Sequence, residues 1–178
     1  WCANAQEDLT KIKGITKGID YVFSALGKSV SLFSPGPNSF FEIDYKANVN
    51  ILQEAKENGV KRFFYISMKG AEEASEYTIP GIHKLMEDAL KESGINYSIV
   101  RPVGFYSGLN DLVIMAKRKV IPLIGDGEAR TNSIFHGDLA NYIMTEFLNL
   151  PELKEVGGPQ IHTRMEMAKM IQKKIGGE

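Results

Sequence analysis

Along the first hundred residues, apolar positions follow two alternating rhythms. Short dense runs carry β-branched and aromatic residues: "IDYVFSAL" at Ile19 to Leu26, "VKRFFYIS" at Val60 to Ser67 and "INYSIVRP" at Ile95 to Pro102. Runs of this length, bounded by turn residues, predict buried strands. Between them the apolar residues spread to helical spacing. Val49, Leu52 and Ala55 share one face of a helix that starts at Asp44, read as its N-cap, and stops at Gly59. Ile82, Leu85, Met86, Ala89 and Leu90 share one face of a second helix, ended by Gly94. Strands that alternate with helices across tight glycine turns predict parallel βαβ units with right-handed crossovers. The expected fold class is therefore α/β, a doubly wound parallel sheet.

Beyond Pro102, which halts the third strand, the rhythm loosens. A helix is expected around Leu109 to Lys119, then the glycine-containing loop "IPLIGDGEARTNSIF", then a helix from about Asp138 to Leu148. In "TRMEMAKMIQKKIGG", Thr163 and Glu166 have the spacing of a capping box, so a helix should begin there.

Composition narrows the class without naming it. A chain of 178 residues that is 43% hydrophobic can bury one sizeable core. Lys and Arg total 21 against 22 Asp and Glu, a net charge of -1, which gives no electrostatic case for a nucleic-acid partner. The basic cluster "AKRK" at Ala116 to Lys119 reads as the wet face of a helix. One cysteine, Cys2, excludes an internal disulfide framework and fits a reducing compartment. No run approaches the roughly 20 apolar residues of a membrane helix. The expected location is cytoplasmic, with no membrane partner.

In an open parallel sheet, ligands sit outside the carboxyl ends of the strands. Three such ends carry small or polar residues: Ser24, Ala25, Leu26 and Gly27 after the first strand, Ser67 and Met68 after the second, and Pro102, Val103, Gly104 and Phe105 after the third. Small residues let the backbone approach a flat ligand, and Ser67 can hydrogen-bond it. Each end alone reads equally well as a turn, but three aligned ends favour a site. Arg101 either clamps an anion or pairs with an acidic neighbour. His83, His136 and His162 have no metal-ligand spacing, so no metal is expected. His136 with Asp138 reads as a helix cap, and the "GDG" of Gly125 to Gly127 as a turn. Phe40, Phe41, Phe63, Phe64 and Tyr65 read mostly as core.

The stretches "DYKANVNILQEAKENGVKRFFYIS", "HKLMEDALKESGINYSIVRP", "IFHGDLANYI" and "VGGPQIHTRMEMA" together resemble the extended and atypical short-chain dehydrogenase/reductases, most closely their NmrA-like, NAD(P)-binding branch. The resemblance runs over nearly the whole chain. It implies a partial Rossmann domain over residues 1–105 that binds NAD or NADP. Residues 106–178 would supply mostly substrate-lobe segments interleaved with the same fold. On this resemblance Ser24, Ala25, Leu26 and Gly27 pass the adenine-ribose side, and Asn48 supports the site. Ser67 and Met68 flank the nicotinamide ribose, Lys84 hydrogen-bonds it, and Pro102, Val103, Gly104 and Phe105 lie near the nicotinamide ring.

Two departures from the family pattern shape the functional expectation. The glycine fingerprint that cradles a pyrophosphate has no counterpart before "SALG", and "KGITKG" at Lys13 to Gly18 has the wrong spacing. That loop, with the residue that separates NAD from NADP, is expected upstream of Trp1. The family's Tyr-x-x-x-Lys pair is also incomplete: Pro80 stands four residues before Lys84, and Tyr77 seven residues before it. The resemblance then implies Lys84 as proton donor or acceptor, with Ser67 polarising a carbonyl, in an oxidoreductase that moves hydride between a nicotinamide cofactor and a small organic substrate. The other class is a non-catalytic NAD(P)-binding redox sensor or assembly factor acting through a protein partner.

Overall fold

The computed structural model describes residues 9–31, 39–75, 78–123 and 125–175. Cys2 and Tyr77 lie outside them. The described residues fall into two compact units, one of residues 9–28, 39–101 and 148–155, the other of residues 29–31, 102–147 and 156–175.

The first unit is built on the three predicted strands, β1 (Tyr21–Ser24), β2 (Arg62–Ile66) and β3 (Tyr97–Pro102), each shorter than its predicted run. They pair in parallel, with Ser24 opposite Tyr65 and Tyr65 opposite Ile99. The sheet order is β1-β2-β3-β5, where β5 (Leu153–Val156) was not predicted. The sequence of β5 is "LKEV", mostly exposed, so it lacks the dense apolar run that marks a buried strand. It is held by backbone pairing, beginning with the Ile99 amide donating to the Glu152 carbonyl at 2.7 Å.

Alternation along β2 decides where the core lies. Phe63 and Tyr65 point to the face packed by Leu52 and Ala55 of α2 (Asn48–Glu57) and by Met86 and Leu90 of α3 (Ile79–Glu92). Phe64 points the other way and stacks on Phe23, with ring centroids 4.4 Å apart. Phe41, expected in the core, is exposed. Both predicted glycine stops hold, with Gly59 and Gly94 at φ of 70° and 77°. That left-handed conformation lets a helix end in a tight turn.

Two helix starts differ from expectation for identifiable reasons. Asp44 does not cap α2. A π-helical turn, Phe41–Ala47, runs into it, and Asp44 is buried inside that turn. Its carboxylate instead accepts the Lys28 amide from the turn after β1, at 3.0 Å. Helix α3 begins earlier than its apolar face suggests, because Thr78 accepts the Gly81 amide at 3.2 Å and Pro80 falls in the first turn. A missing N–H has no cost there. Before β1, a short helix α1 (Leu9–Ile12) leads into the Lys13–Gly18 turns, which pack on α2 through a Thr16 hydroxyl bond to the Glu54 carbonyl at 2.8 Å.

The second unit holds α4 (Asn110–Lys117), β4 (Arg130–Thr131), α5 (His136–Glu146), β6 (His162–Thr163) and α6 (Arg164–Ile175). Strands β4 and β6 form an antiparallel pair. The capping box forms as predicted: the Thr163 amide donates to Glu166 at 2.7 Å and the Glu166 amide to the Thr163 hydroxyl at 3.1 Å. The expected His136 cap does not form. Phe135 occupies the N-cap position without a side-chain bond, and the His136 ring lies against the Phe135 ring with centroids 4.3 Å apart. Asp138 does sit in the first turn, at the positive end of the helix dipole.

The "GG" of Gly157 and Gly158 is explained by a close backbone crossing. The Gly158 amide donates to the Asn132 carbonyl at 2.7 Å, and a Cβ on Gly158 would lie 2.2 Å from the Ser133 carbonyl oxygen. Gly158→Ala is therefore expected to cost about 1–3 kcal/mol through overpacking. A melting curve identical to that of the unsubstituted protein would show that this crossing accommodates a methyl group without cost.

Candidate functional site

Parallel register brings the carboxyl ends of β1 and β2 side by side, with Ser24 opposite Tyr65 and Ser67 just beyond the end of β2. Asn48, fully buried in the first turn of α2, ties down the first of these ends. Its amide nitrogen donates to the Leu26 and Asp44 carbonyls, both at 3.0 Å, and its side-chain oxygen accepts the Ser24 hydroxyl. Two residues on, the Lys28 amide is held by Asp44. The turn is thus pinned at Ser24, Leu26 and Lys28, while Ala25 and Gly27 stay exposed. A Cβ on Gly27 would come within 3.2 Å of the Asp44 carboxylate, tighter than ordinary contact. The result is a narrow strip of backbone with little side-chain bulk, suited to a flat ligand.

Asn48→Ala would leave the Ser24 hydroxyl and the Leu26 carbonyl without that partner, at an expected cost of about 1–3 kcal/mol. Hydrogen exchange should accelerate at residues 24–28 before it does in β2. Uniform exchange across both strands would mean that Asn48 is not what shapes the turn.

At the end of β2, Ser67 is buried and its amide donates to the Val100 carbonyl at 2.8 Å. Its hydroxyl donates to Glu87 at 2.6 Å. Glu87 is wholly buried on α3 and is gripped by two Arg101 bonds, from Nε at 2.8 Å and Nη2 at 2.7 Å. Burial pushes the Glu87 carboxyl up, but the Arg101 and Ser67 hydrogen bonds and the Arg101 charge outweigh it and leave the group below its ordinary value. Arg101 also meets Glu72 at 2.9 Å, so of its two readings the pairing with acidic neighbours is the one found. A hydroxyl whose one proton goes to Glu87 can accept a further bond but cannot donate one. For Ser67 to polarise a carbonyl, the Glu87 bond would have to break.

Lys84 lies on α3, 40% exposed by its side chain, and pairs with Asp88 one turn further on. Burial pushes the Asp88 carboxyl up, but the hydrogen bonds and charges of Lys84 and Lys91 together outweigh it and hold the group below its ordinary value. Met68 is half-buried beside Ser67. Pro102 closes β3. Val103, Gly104 and Phe105 belong to the second unit, where the Val103 amide bonds the Val156 carbonyl at 3.0 Å and the Gly104 carbonyl accepts the Ile134 amide at 2.8 Å.

Sequence reasoning missed a buried polar line in the same unit. The Tyr65 hydroxyl lies 2.7 Å from His83 Nδ1, and His83 Nε2 lies 3.4 Å from the Asp44 carboxylate. The signal was faint but present: His83 stands three residues before Met86 and four before Glu87, on the face of α3 that is buried. Away from all of this, a cleft of ≈ 370 Å³ opens at the amino ends of β2 and β3, lined by Lys56, Val60, Lys61, Ser93, Gly94, Ile95 and Asn96. It lies at the wrong end of the strands for an α/β ligand site. Among the described residues no group of three or more His, Cys, Asp and Glu side chains is arranged to hold a metal, and no helix is long and apolar enough to cross a membrane.

Comparison with known proteins adds an independent line. The family described as NAD(P)H-binding matches residues 3–149. A chloroplastic divinyl chlorophyllide a 8-vinyl-reductase of Cucumis sativus is 30% identical over 170 residues, 90% of this chain and 40% of that protein. The photosystem II assembly factor Ycf39 of Cyanophora paradoxa is 32% identical over 73 residues, 41% of this chain and 23% of that protein. Among solved structures, the epimerase Mth375 of Methanothermobacter thermautotrophicus has a TM-score of 0.78 at 18% identity, covering 97% of this chain and 61% of that one. An NADPH-dependent quinone oxidoreductase of Escherichia coli, complexed with NADPH, has a TM-score of 0.76 at 19% identity, covering 99% of this chain and 59% of that one. The structural likenesses show a Rossmann-like fold. The chain spans less than half the length of these curated relatives.

Proposed function

This chain belongs to the NAD(P)H-binding family, and on that premise we propose that the protein is an oxidoreductase of the atypical short-chain dehydrogenase/reductase type, using NAD or NADP to act on a small organic substrate. The observation that carries the proposal is the Asn48 anchorage of the turn after β1. It keeps Ala25 and Gly27 flat and exposed beside the end of β2, a surface whose shape fits a dinucleotide. On this reading Ser24, Ala25, Leu26 and Gly27 line the adenine-ribose side, and Ser67 and Met68 line the nicotinamide-ribose side. Ser67 serves there as an acceptor, because its hydroxyl proton is donated to the Glu87 carboxylate. Pro102, Val103, Gly104 and Phe105 take the nicotinamide end, and residues 106–178 contribute the substrate lobe.

A nicotinamide cofactor supplies or takes up the hydride, so the chain itself must bind, orient and handle a proton. Lys84 is the candidate for the last task. Its ammonium is held by Asp88 yet remains open to solvent, so a proton lost to substrate can be replaced. The vinyl group named for the Cucumis reductase makes an activated carbon–carbon double bond the first substrate class to try.

A second reading is favoured by one specific feature: Pro80 stands where an active reductase carries its tyrosine. A protein that binds NAD(P) without chemistry, and acts as a redox sensor or assembly factor on another protein, agrees with the local likeness to the assembly factor. Incubating the protein with NADPH or NADH and a panel of vinyl compounds, enones, quinones and aldehydes separates the two. Consumption of reduced nicotinamide with any class supports the oxidoreductase, while tight binding with no consumption across the panel supports the sensor. A cytoplasmic location is part of the proposal, and cell fractionation tests it.

A further inference from the structure

The roles assigned above leave the segment 130–134 without a task, although it runs beside residues given to the nicotinamide end. Within the second unit this segment is held from both sides. The Ile134 amide donates to the Gly104 carbonyl at 2.8 Å and the Tyr106 amide to the Ile134 carbonyl at 3.3 Å, while on the other flank the Gly158 amide donates to the Asn132 carbonyl at 2.7 Å. Extended backbone sends successive side chains to opposite faces, and the segment obeys that rule. Asn132 occupies the space that a side chain on Gly157 would need and donates to the Gly158 carbonyl at 3.3 Å. Thr131 and Ser133 take the other face and converge on Gly104, where a Cβ would lie 3.5 Å from Ser133 Oγ and 3.9 Å from Thr131 Oγ1.

Ser133 is only 6% exposed, and neither its hydroxyl nor that of Thr131 has a hydrogen-bond partner among the described residues. A buried polar side chain without a bond is an exception that needs a cause. No fully buried side-chain oxygen or nitrogen among the described residues is left unpaired, so the Ser133 hydroxyl keeps a path to the surface, beside the notch that glycine leaves at position 104.

We propose that Thr131 and Ser133 form a substrate subsite in which their two hydroxyls donate to one carbonyl oxygen seated over Gly104. The identification of that carbonyl compound as a substrate rests on the oxidoreductase reading above, and the carbonyl-binding site itself does not. Ser67 is poorly suited to the task, because its hydroxyl proton goes to Glu87. The Thr131 and Ser133 protons are uncommitted, and a hydroxyl in that state donates. Two neutral donors suit a neutral carbonyl better than a carboxylate or phosphate, for which charged donors are the strong partners. Arg130 falls by alternation on the Asn132 face, away from the pair. The substrate class narrows accordingly to aldehydes, ketones and double bonds conjugated to a carbonyl, ahead of isolated vinyl groups.

The test titrates two probes of the same shape against the protein, with and without saturating NADP⁺: cyclohexanone labelled with carbon-13 at its carbonyl, and methylenecyclohexane, in which a CH₂ group replaces the oxygen. The expected result is saturable binding of cyclohexanone, a carbonyl resonance moved downfield by hydrogen bonding, and affinity about tenfold above that of methylenecyclohexane. Ser133→Ala and Thr131→Val should each weaken cyclohexanone about tenfold and leave methylenecyclohexane unchanged. Gly104→Ala places a methyl group at ordinary contact distance from Ser133 Oγ, so the protein should fold while the notch is filled and cyclohexanone is lost. No saturable binding of cyclohexanone, equal affinity for the two probes, an unmoved carbonyl resonance, or binding indifferent to all three substitutions would each overturn the proposal. So would hydroxyl variants that lose NADP⁺ and keep cyclohexanone, because the pair would then serve the cofactor. If no dinucleotide binds the protein in any form, the oxidoreductase reading fails, and the cyclohexanone titration without NADP⁺ still decides the subsite.

Discussion

Glu87→Ala is expected to be the most destabilising single substitution in the first unit, lowering stability by about 3–5 kcal/mol. The side chain is wholly buried, and its carboxylate receives one bond from Ser67 and two from Arg101. Removing it leaves a guanidinium whose side chain is 6% exposed with Glu72 as its remaining acidic partner in this network, and Glu72 is 36% exposed, where solvent weakens the attraction. The Ser67 hydroxyl loses its acceptor as well. Glu87→Gln should fall between the two, because an amide oxygen still accepts while the charge is gone. Urea unfolding midpoints of the three proteins measure the order. In the unsubstituted protein the depressed Glu87 carboxyl gives stability that is present above 4.5 and lost as pH falls through its lower native value. An alanine variant with an unchanged midpoint would mean that the Arg101–Glu87 pair contributes nothing net.

The second large effect is kinetic. Lys84→Ala is expected to lower kcat by roughly 10²–10⁴ while KM moves little, the pattern of a group needed in the transition state rather than for binding. Folding should survive the change, because a partly exposed ion pair one helical turn apart, such as Lys84–Asp88, is worth only about 0.3–0.5 kcal/mol. That separation makes the kinetic result interpretable, since a folded protein with reduced turnover has lost chemistry and not structure. Lys84→Arg keeps the charge but a guanidinium does not give up its proton, so it should leave turnover as low as in the alanine variant. Unchanged kcat in the alanine variant would remove the proton-handling role and leave Lys84 as a surface residue of α3.

How much of this was legible in the sequence follows from what each element buries. Strands β2 and β3 were legible because parallel strands covered on both faces read as dense apolar runs, β1 because its short run is β-branched and aromatic although Phe23 is exposed, and α2 and α3 because each shows one apolar face. Strand β5 was not, since its mostly exposed side chains carry no such pattern and its place depends on backbone pairing to β3. The π-helical turn was hidden by its own best clue. Asp44 is a good capping residue by type, but its carboxylate is used across the fold by Lys28. The turn after β1 was marked in the sequence by its small residues, Asn48 was tied to it only through family resemblance, and the acidic pairing of Arg101 was one of two readings its position allowed. The Tyr65–His83–Asp44 line left one faint trace, the place of His83 on the buried face of α3, because its members come from a strand, a helix and a helical turn with no fixed spacing between them.

The central claim is that a dinucleotide lies on the turn after β1, at the carboxyl ends of the strands. Fluorescence titration of NADPH and NADH against the unsubstituted protein, Asn48→Ala and Lys56→Ala tests it most directly, since Lys56 lines the cleft at the opposite ends of the strands. The account expects saturable binding of at least one dinucleotide, weakened roughly tenfold or more by Asn48→Ala, about 1.4 kcal/mol, and untouched by Lys56→Ala. Binding lost with Lys56→Ala and kept with Asn48→Ala, or no binding at all, would contradict it.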